Sequence, residues 1–243
     1  LRLIGDAERH TLLGSTFAGH PQTYPLEPLG GTLPARIERI AQTHPQNIAA
    51  SLDGQTLSYA ELDTRANQLA HHLHARGVQP REAVVLCLER SFDMLIAILG
   101  VLKAGACYVP IEPGLPAERL RFLLQDSGAA CLISHGKSSE RLQNLDDLPL
   151  TQNLLCLSRE AQAIAAGPQT PPDVPLTPAD RAYIIYTSGS TGQPKGCQLT
   201  HANVLRLFRA CEEHDSYRPD DVWSFFHSYA FDFSIWEIFG ALL

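Results

Sequence analysis

The chain has 243 residues, of which 44% are hydrophobic and 19% charged, with a formal net charge of -7. That length and apolar share allow one large domain or two small ones around a sizeable core, and exclude a disordered chain. The acidic balance argues against a broad basic nucleic-acid surface, and no window approaches the ~20 apolar residues of a membrane-spanning helix.

The first residues, "LRLIGDAERH", hold no long apolar stretch, so no secretory signal is expected. Residues 1–30 read as a separate linker, because a short helical pattern runs into Pro, Gly and Thr. Residues 31–243 read as the core of one domain. "LPARIERIAQTHPQN" has the spacing of a helix, with Ile37, Ile40 and Ala41 on one face. From there the chain alternates. "IAASLD" is a strand. Ser58 and Glu61 form a capping box for a helix that runs to Arg76 and stops at Gly77. "AVVLCL" is a strand, "SFDMLIAILGVLKA" a helix and "ACYVPI" a strand. "AERLRFLLQDS" is a helix, "AACLIS" a strand and "NLLCLS" another strand. Strand–helix–strand repeats of this length require crossovers and a parallel sheet. The near-continuous apolar strands fit burial on both faces.

Residues 159–181 break this rhythm and read as a proline-rich surface connection. Beyond them, "AYIIYT" is a strand and "GCQLT" a second. Thr200 caps the helix "HANVLRLFRAC". "DDVWSFF" reads as a strand, and "IWEIFGALL" as a final helix begun by a capping box of Ser234 and Glu237.

Cys87, Cys107, Cys131, Cys156, Cys197 and Cys211 form no C-x-x-C pair. They read as reduced core cysteines of a cytoplasmic protein, neither a disulfide frame nor zinc ligands. His71, His72 and His74 fall off the apolar stripe of their helix and read as a solvated face. Lys103 is expected near its helix C-terminus, facing the dipole.

The stretch with the most chemistry is "YTSGSTGQPKG". Glycines permit close backbone approach, hydroxyls donate, and consecutive N–H groups can wrap an anion. A glycine-rich loop leaving a strand end is where α/β proteins bind phosphate. The bland alternative is a flexible Gly/Ser linker, but linkers seldom leave a core strand directly. The loop is not G-x-x-x-x-G-K-[ST], since Gln193 and Pro194 separate Gly192 from Lys195.

This string resembles the signature loop of the adenylate-forming superfamily, which includes acyl-CoA ligases, luciferases and the adenylation domains of nonribosomal peptide synthetases. "LSYAEL", "LKAGACYVPIEP" and "FDFSIWEIF" resemble three further motifs of the peptide-synthetase branch, in the same order. Cys107 and Glu112 depart from the usual alanine and aspartate, and Cys197 from a common valine.

The resemblance implies an α/β fold of mostly parallel sheets flanked by helices, the truncated large N-terminal lobe of that superfamily. It implies that residues 1–30 link a condensation domain to the adenylation domain. Thr187, Ser188, Gly189, Ser190, Thr191, Gly192 and Lys195 would hold ATP phosphates, with Mg²⁺ sharing their charge. Asp232 would grip the α-amino group of an amino acid, while Phe233 and Trp236 would line the side-chain pocket. Without the resemblance, Asp232 is a charge favoured by a helix N-terminus, and both aromatics are core packing. His227, within the aromatic "FFHSYAF", would approach the nucleotide or substrate.

The implied reaction is attack of an amino-acid carboxylate on the α-phosphate of ATP, then transfer to the phosphopantetheine of a carrier protein. Asp232, Phe233 and Trp236 together resemble the opening of a threonine-selective pattern. The chain ends inside the fourth motif, so it is expected to be about the first half of an adenylation domain, inactive alone and holding no catalytic residue. Two rivals stand beside this reading. An acyl- or aryl-CoA ligase would leave Asp232 without an ammonium partner, and a degenerate non-catalytic module would have no use for the phosphate loop.

Overall fold

The computed structural model describes residues 31–144, 149–188, 193–212 and 217–243. The expected linker, residues 1–30, lies outside the described residues. Helix α1 (Leu33–Thr43) buries Leu33, Ile37 and Ala41, the face its spacing predicts. Strands β1 (Ile48–Leu52) and β2 (Gln55–Ser58) form an antiparallel hairpin. Its two-residue turn puts Asp53 and Gly54 at φ 50° and 76°, the primed conformation that matches strand twist. Helix α2 (Tyr59–Ala75) starts on the expected Ser58–Glu61 capping box. It ends where Gly77 turns to φ 91°.

The alternation then follows the sequence. Strand β3 (Ala83–Cys87), helix α3 (Phe92–Lys103), strand β4 (Cys107–Pro110), helix α4 (Ala117–Asp126) and strand β5 (Cys131–Ser134) succeed one another. Helix α5 (Gly136–Gln143), strand β6 (Leu154–Cys156) and helix α6 (Leu157–Ala165) come next. Strands β7 (Arg181–Thr187) and β8 (Lys195–Thr200) and helices α7 (His201–Glu212) and α8 (Phe233–Leu242) complete the fold. The large sheet has the order β6-β5-β3-β4-β7-β8, parallel throughout except for the antiparallel β7–β8 pair.

Strand alternation sorts the core into two layers. Val84 and Leu86 face α2, α3, α7 and α8, with Leu69, Leu99 and Phe239 among their neighbours. Val85 and Cys87 face α4 and α5 through Leu120, Leu124 and Leu142. Every residue of β3, β4 and β5 is buried, as strands covered on both faces require.

Several expectations fail for identifiable reasons. Residues 159–181 are not all connection, since α6 occupies Leu157–Ala165 and packs Leu157 and Ile164 on the core. Residues 220–226 form no strand. The carbonyls of Phe225 and Phe226 go to a side chain described below, so they are not free for a ladder. Ser234 and Glu237 form no capping box, because both bond to residues 227–229.

Lys103 stands in the last turn of α3, as expected, but it is buried and paired. Its side chain is 2% exposed, and Nζ lies 2.8 Å from Asp63 Oδ1 and 3.7 Å from Glu38 Oε2, tying three helices together. The histidines are no solvated face either. His71 Nε2 donates to the Thr170 carbonyl at 2.9 Å, and His74 Nε2 to that of Ala104 at 2.9 Å. His72 meets the Glu160 carboxylate at 2.8 Å. A proline-rich strip has few backbone donors, so side chains of α2 serve its carbonyls: Asn67 also donates to Gln169 O at 2.7 Å.

The described cysteines are all unpaired, and Cys87, Cys107, Cys131 and Cys156 are buried as expected. Burial pushes the Cys87 thiol up to about 12. Cys197 is exposed instead, because it lies on the outer strand β8. Among the described residues, no helix is long and apolar enough to cross a membrane, and no cluster of three or more His, Cys, Asp or Glu could hold a metal.

Candidate functional site

The apolar run "AYIIYT" forms β7, and the sequence after the glycine-rich loop returns as β8. The loop therefore connects a hairpin. Thr187 pairs with Lys195, and Ile185 with Cys197. Cross-strand partners project to the same side of a sheet, so the hydroxyl of Thr187 and the ammonium group of Lys195 share a face. Both are exposed, as is Ser188. Gly189, Ser190, Thr191 and Gly192, also expected at the phosphates, lie outside the described residues.

The same face carries Tyr183 and Ile185 toward α7 and α8. The Tyr183 hydroxyl is pushed up to about 12, first by burial and then by negative charge at Cys197 and Asp232. Tyr183 and Ile185 share one core cluster with Ile235 and Ile238 of α8, the helix that Asp232 precedes. On the opposite face, Tyr186 donates to Asp126 Oδ2 at 2.7 Å. Burial and that carboxylate both hold its phenol protonated.

Residues 217–232 lead into α8 without regular structure, yet side chains fix their second half. Arg90 donates to the carbonyls of Phe225, Phe226 and His227 at 2.6, 2.8 and 3.1 Å. Its guanidinium also lies 4.5 Å from the centre of the Phe225 ring. The buried Tyr229 hydroxyl accepts from Leu88 N at 2.9 Å and lies 2.7 and 3.0 Å from the carbonyls of Leu86 and Ile111. Ser228 donates to Glu112. Leu86, Leu88, Ile111 and Glu112 sit at the carboxyl ends of β3 and β4. The segment is thus pinned over the strand ends where open α/β sheets bind ligands.

Asp232 stands at the N-cap position of α8, but its side chain makes no capping bond. It is exposed rather than buried, because nothing among the described residues covers that side. Phe233 is 51% exposed beside it. Trp236 turns elsewhere. It is half-buried and stacks on Phe208 with centroids 5.5 Å apart, and Trp223 lies 5.7 Å away. A Cβ on Gly240 would come within 2.5 Å of the Trp223 ring, so this glycine gives that cluster its room. Phe233 and Trp236 therefore do not share one surface. The first faces outward with Asp232, and the second packs between α7 and α8.

His227 sits among aromatic rings, 4.9 Å from Phe233, 5.4 Å from Phe226 and 5.8 Å from Phe231 between centroids. Glu237 accepts from its backbone N–H at 3.1 Å and from ring Nδ1 at 2.8 Å. Burial works to raise the Glu237 carboxyl, but the contacts to His227 and Phe226 outweigh it and hold the group below its ordinary value. A cleft of about 280 Å³ lies behind α8, between β1, Phe92 and Phe225. None of Asp232, Phe233 and Trp236 lines it.

Sequence patterns assign no role to Arg90 or Tyr229 and mark Glu112 only as a departure from the usual aspartate. Each acts on residues more than a hundred positions away, and neither periodicity nor local spacing registers such a contact. The chemical capacity of the whole is plain. One strand end presents a cation and hydroxyls suited to an anionic group, and the adjoining helix start presents a carboxylate suited to a cationic one.

Residues 37–243 match the family described as AMP-binding enzyme. The chain is 43% identical over 214 residues to the dimodular nonribosomal peptide synthase of Bacillus subtilis (strain 168), covering 87% of this chain and 9% of that protein. It is 40% identical over 219 residues to syringomycin synthase SyrB1 of Pseudomonas syringae pv. syringae, covering 90% of this chain and 34% of that one. Among solved structures, it superimposes on the nonribosomal peptide synthetase FmoA3 in its AMPPNP-bound form with a TM-score of 0.76 and 29% identity. That match covers 87% of this chain and 22% of the other. The same protein in its alpha-methyl-L-serine-AMP-bound form gives 0.77. The chain thus spans between 9% and 34% of the length of each of these three proteins.

Proposed function

The chain belongs to the AMP-binding enzyme family, and from that premise we propose that it forms the first part of an adenylation domain that activates an amino acid for nonribosomal peptide synthesis. The observation that supports this most is the shared face of the β7–β8 hairpin and the start of α8. It offers Lys195 and Thr187 for phosphates, and Asp232 for an ammonium group at the start of a helix whose Ile235 and Ile238 share a core cluster with Tyr183 of β7. A zwitterionic amino acid and ATP are the pair of ligands that such a face serves.

In this reading Thr187, Ser188 and Lys195, with the glycine-rich residues Gly189, Ser190, Thr191 and Gly192, hold the β- and γ-phosphates of ATP. Mg²⁺ bound to the nucleotide would share the charge of these phosphates. The amino-acid carboxylate attacks the α-phosphate, and pyrophosphate leaves. The protein's share is positioning and charge stabilisation, which this step mainly needs. The aminoacyl group then passes to phosphopantetheine on a carrier protein, next to a condensation domain to which residues 1–30 lead. Free, largely buried cysteines fit a cytoplasmic setting.

Threonine is the proposed substrate, from the resemblance of Asp232, Phe233 and Trp236 to the opening of a threonine-selective pattern; Asp232 and Phe233 would meet the amino acid directly, and Trp236 would act only as packing behind them. The FmoA3 structure that holds alpha-methyl-L-serine-AMP is a neighbour with a small hydroxylated acyl group. The test is amino-acid-dependent pyrophosphate exchange by a protein spanning the complete adenylation domain. Threonine is expected to lead, with serine behind it by about 10- to 200-fold for one lost methyl. A preference for phenylalanine would overturn threonine and leave adenylation standing. Equal use of des-amino acids would point to an acyl-CoA ligase instead. Asp232→Ala is expected to erase the preference for α-amino acids over those analogues.

A further inference from the structure

The Glu237 side chain is 8% exposed, and each of its oxygens bonds to His227. Oε2 accepts the backbone N–H of His227 and Oε1 lies 2.8 Å from its Nδ1. A carboxylate only accepts, so Nδ1 carries a proton in either charge state of the ring. Nε2 lies at the other edge of the imidazole and has no hydrogen-bond partner among the described residues. The surroundings hold this arrangement still. Arg90 fixes the His227 carbonyl at 3.1 Å, Tyr229 anchors the chain two residues on, and three phenylalanine rings flank the imidazole.

A helix could bury an apolar residue at this position at lower cost. A buried carboxylate aimed at one imidazole is the arrangement that selects a tautomer and an orientation. We propose that Glu237 is a positioning residue that locks His227 with Nδ1 protonated, so that Nε2 meets an anionic oxygen of the bound nucleotide or amino acid. Glu237 touches no ligand itself. The identity of that oxygen rests on the function proposed above; the lock on the ring does not.

Two experiments separate these layers. The first is ¹⁵N-resolved NMR of the histidine rings in the full chain, at a pH where the ring is neutral. His227 is expected in the Nδ1–H form, and Glu237→Gln should move it toward the Nε2–H form that free imidazoles favour. An Nε2–H ring in the unsubstituted chain would overturn the lock. The second is a double-substitution cycle in pyrophosphate exchange by a protein spanning the complete domain. Glu237→Gln and His227→Phe are each expected to lower kcat about tenfold or more, and the pair to lower it no further than His227→Phe alone. Effects that multiply would show that Glu237 serves the fold independently of His227, and would overturn the proposal. Absence of any exchange with the unsubstituted protein would count against the proposed function, and the NMR result alone would then decide the role of Glu237.

Discussion

The centre of the sheet and the segment that leads into α8 answer opposite demands. In β3, β4 and β5 every side chain is buried, and helices cover both faces. Residues 220–233 leave Val222 97%, Phe226 76% and Phe231 54% exposed, and Asp232 open to solvent. Yet this second region is not loose. Arg90, Glu112 and Glu237 grip its backbone and side chains from outside, and its own Tyr229 reaches into the ends of β3 and β4. The contrast teaches that order need not come from burial. The centre is held by excluded water, and the segment by directed hydrogen bonds that leave apolar rings facing outward for a ligand or a covering surface.

The comparison is sharpest where a substitution should matter in one region and not in the other. Leu86→Ala removes a fully buried side chain from the middle of β3. It is expected to cost about 2–5 kcal/mol in chemical denaturation, since the packed layer cannot collapse around the void. A loss below 1 kcal/mol would mean that the sheet centre is as tolerant as the segment.

His201 probes the seam between α1 and α7. It is fully buried, and Leu33 N donates to its Nδ1 at 3.4 Å. Burial lowers its pKa from 6.5 to about 4, with Asp180 offsetting part of the shift. The unfolded chain therefore takes up the proton first as pH falls. Stability is full above about pH 6.5 and is lost as pH drops toward 4, by on the order of 3 kcal/mol. Unfolding free energies at pH 7 and 4.5 should differ less in His201→Gln than in the unsubstituted chain. An equal difference would assign the acid sensitivity to other groups.

Lys195 tests the open region by function. Lys195→Ala, in a protein spanning the complete adenylation domain, is expected to lower kcat/KM for ATP about tenfold to a hundredfold, the range of one charge-assisted hydrogen bond. Its folding stability should not move, because the side chain is exposed. An unchanged kcat/KM would show the ammonium group to be solvated and idle. The smallest effect is expected for Phe226→Ser. With the ring mostly in solvent and the backbone held by Arg90, unfolding free energy should change by no more than about 0.5 kcal/mol. A loss near that of Leu86→Ala would erase the distinction between the two regions.

Much of the fold was legible. Apolar runs marked β3, β4, β5 and β7, because a strand buried on both faces must be apolar throughout. Ser58 with Glu61, and Gly77, marked the ends of α2 through local capping chemistry. The proline-rich run hid α6, whose residues Leu157–Ala165 carry a helical pattern just ahead of the prolines. "DDVWSFF" mimicked a strand because its aromatic and β-branched residues have strand propensity. What it lacks among the described residues is a neighbour to pair with, which propensity does not record.

The candidate site divides in the same way. Hydroxyls, glycines and a lysine after a core strand are a local signal, so Thr187, Ser188 and Lys195 were found from sequence. Which face they share depends on register, and only the pairing of Thr187 with Lys195 settles it. Ser234 and Glu237 match a capping box three residues apart, and sequence alone had no means to refuse it. The tertiary structure did, by placing His227 and Tyr229 where they compete for the same two side chains. Local spacing determines what a residue can bond to within one turn of chain. The partner it takes depends on which groups the fold brings within 3 Å, and for Glu237, Arg90 and Tyr229 those groups lie on other segments.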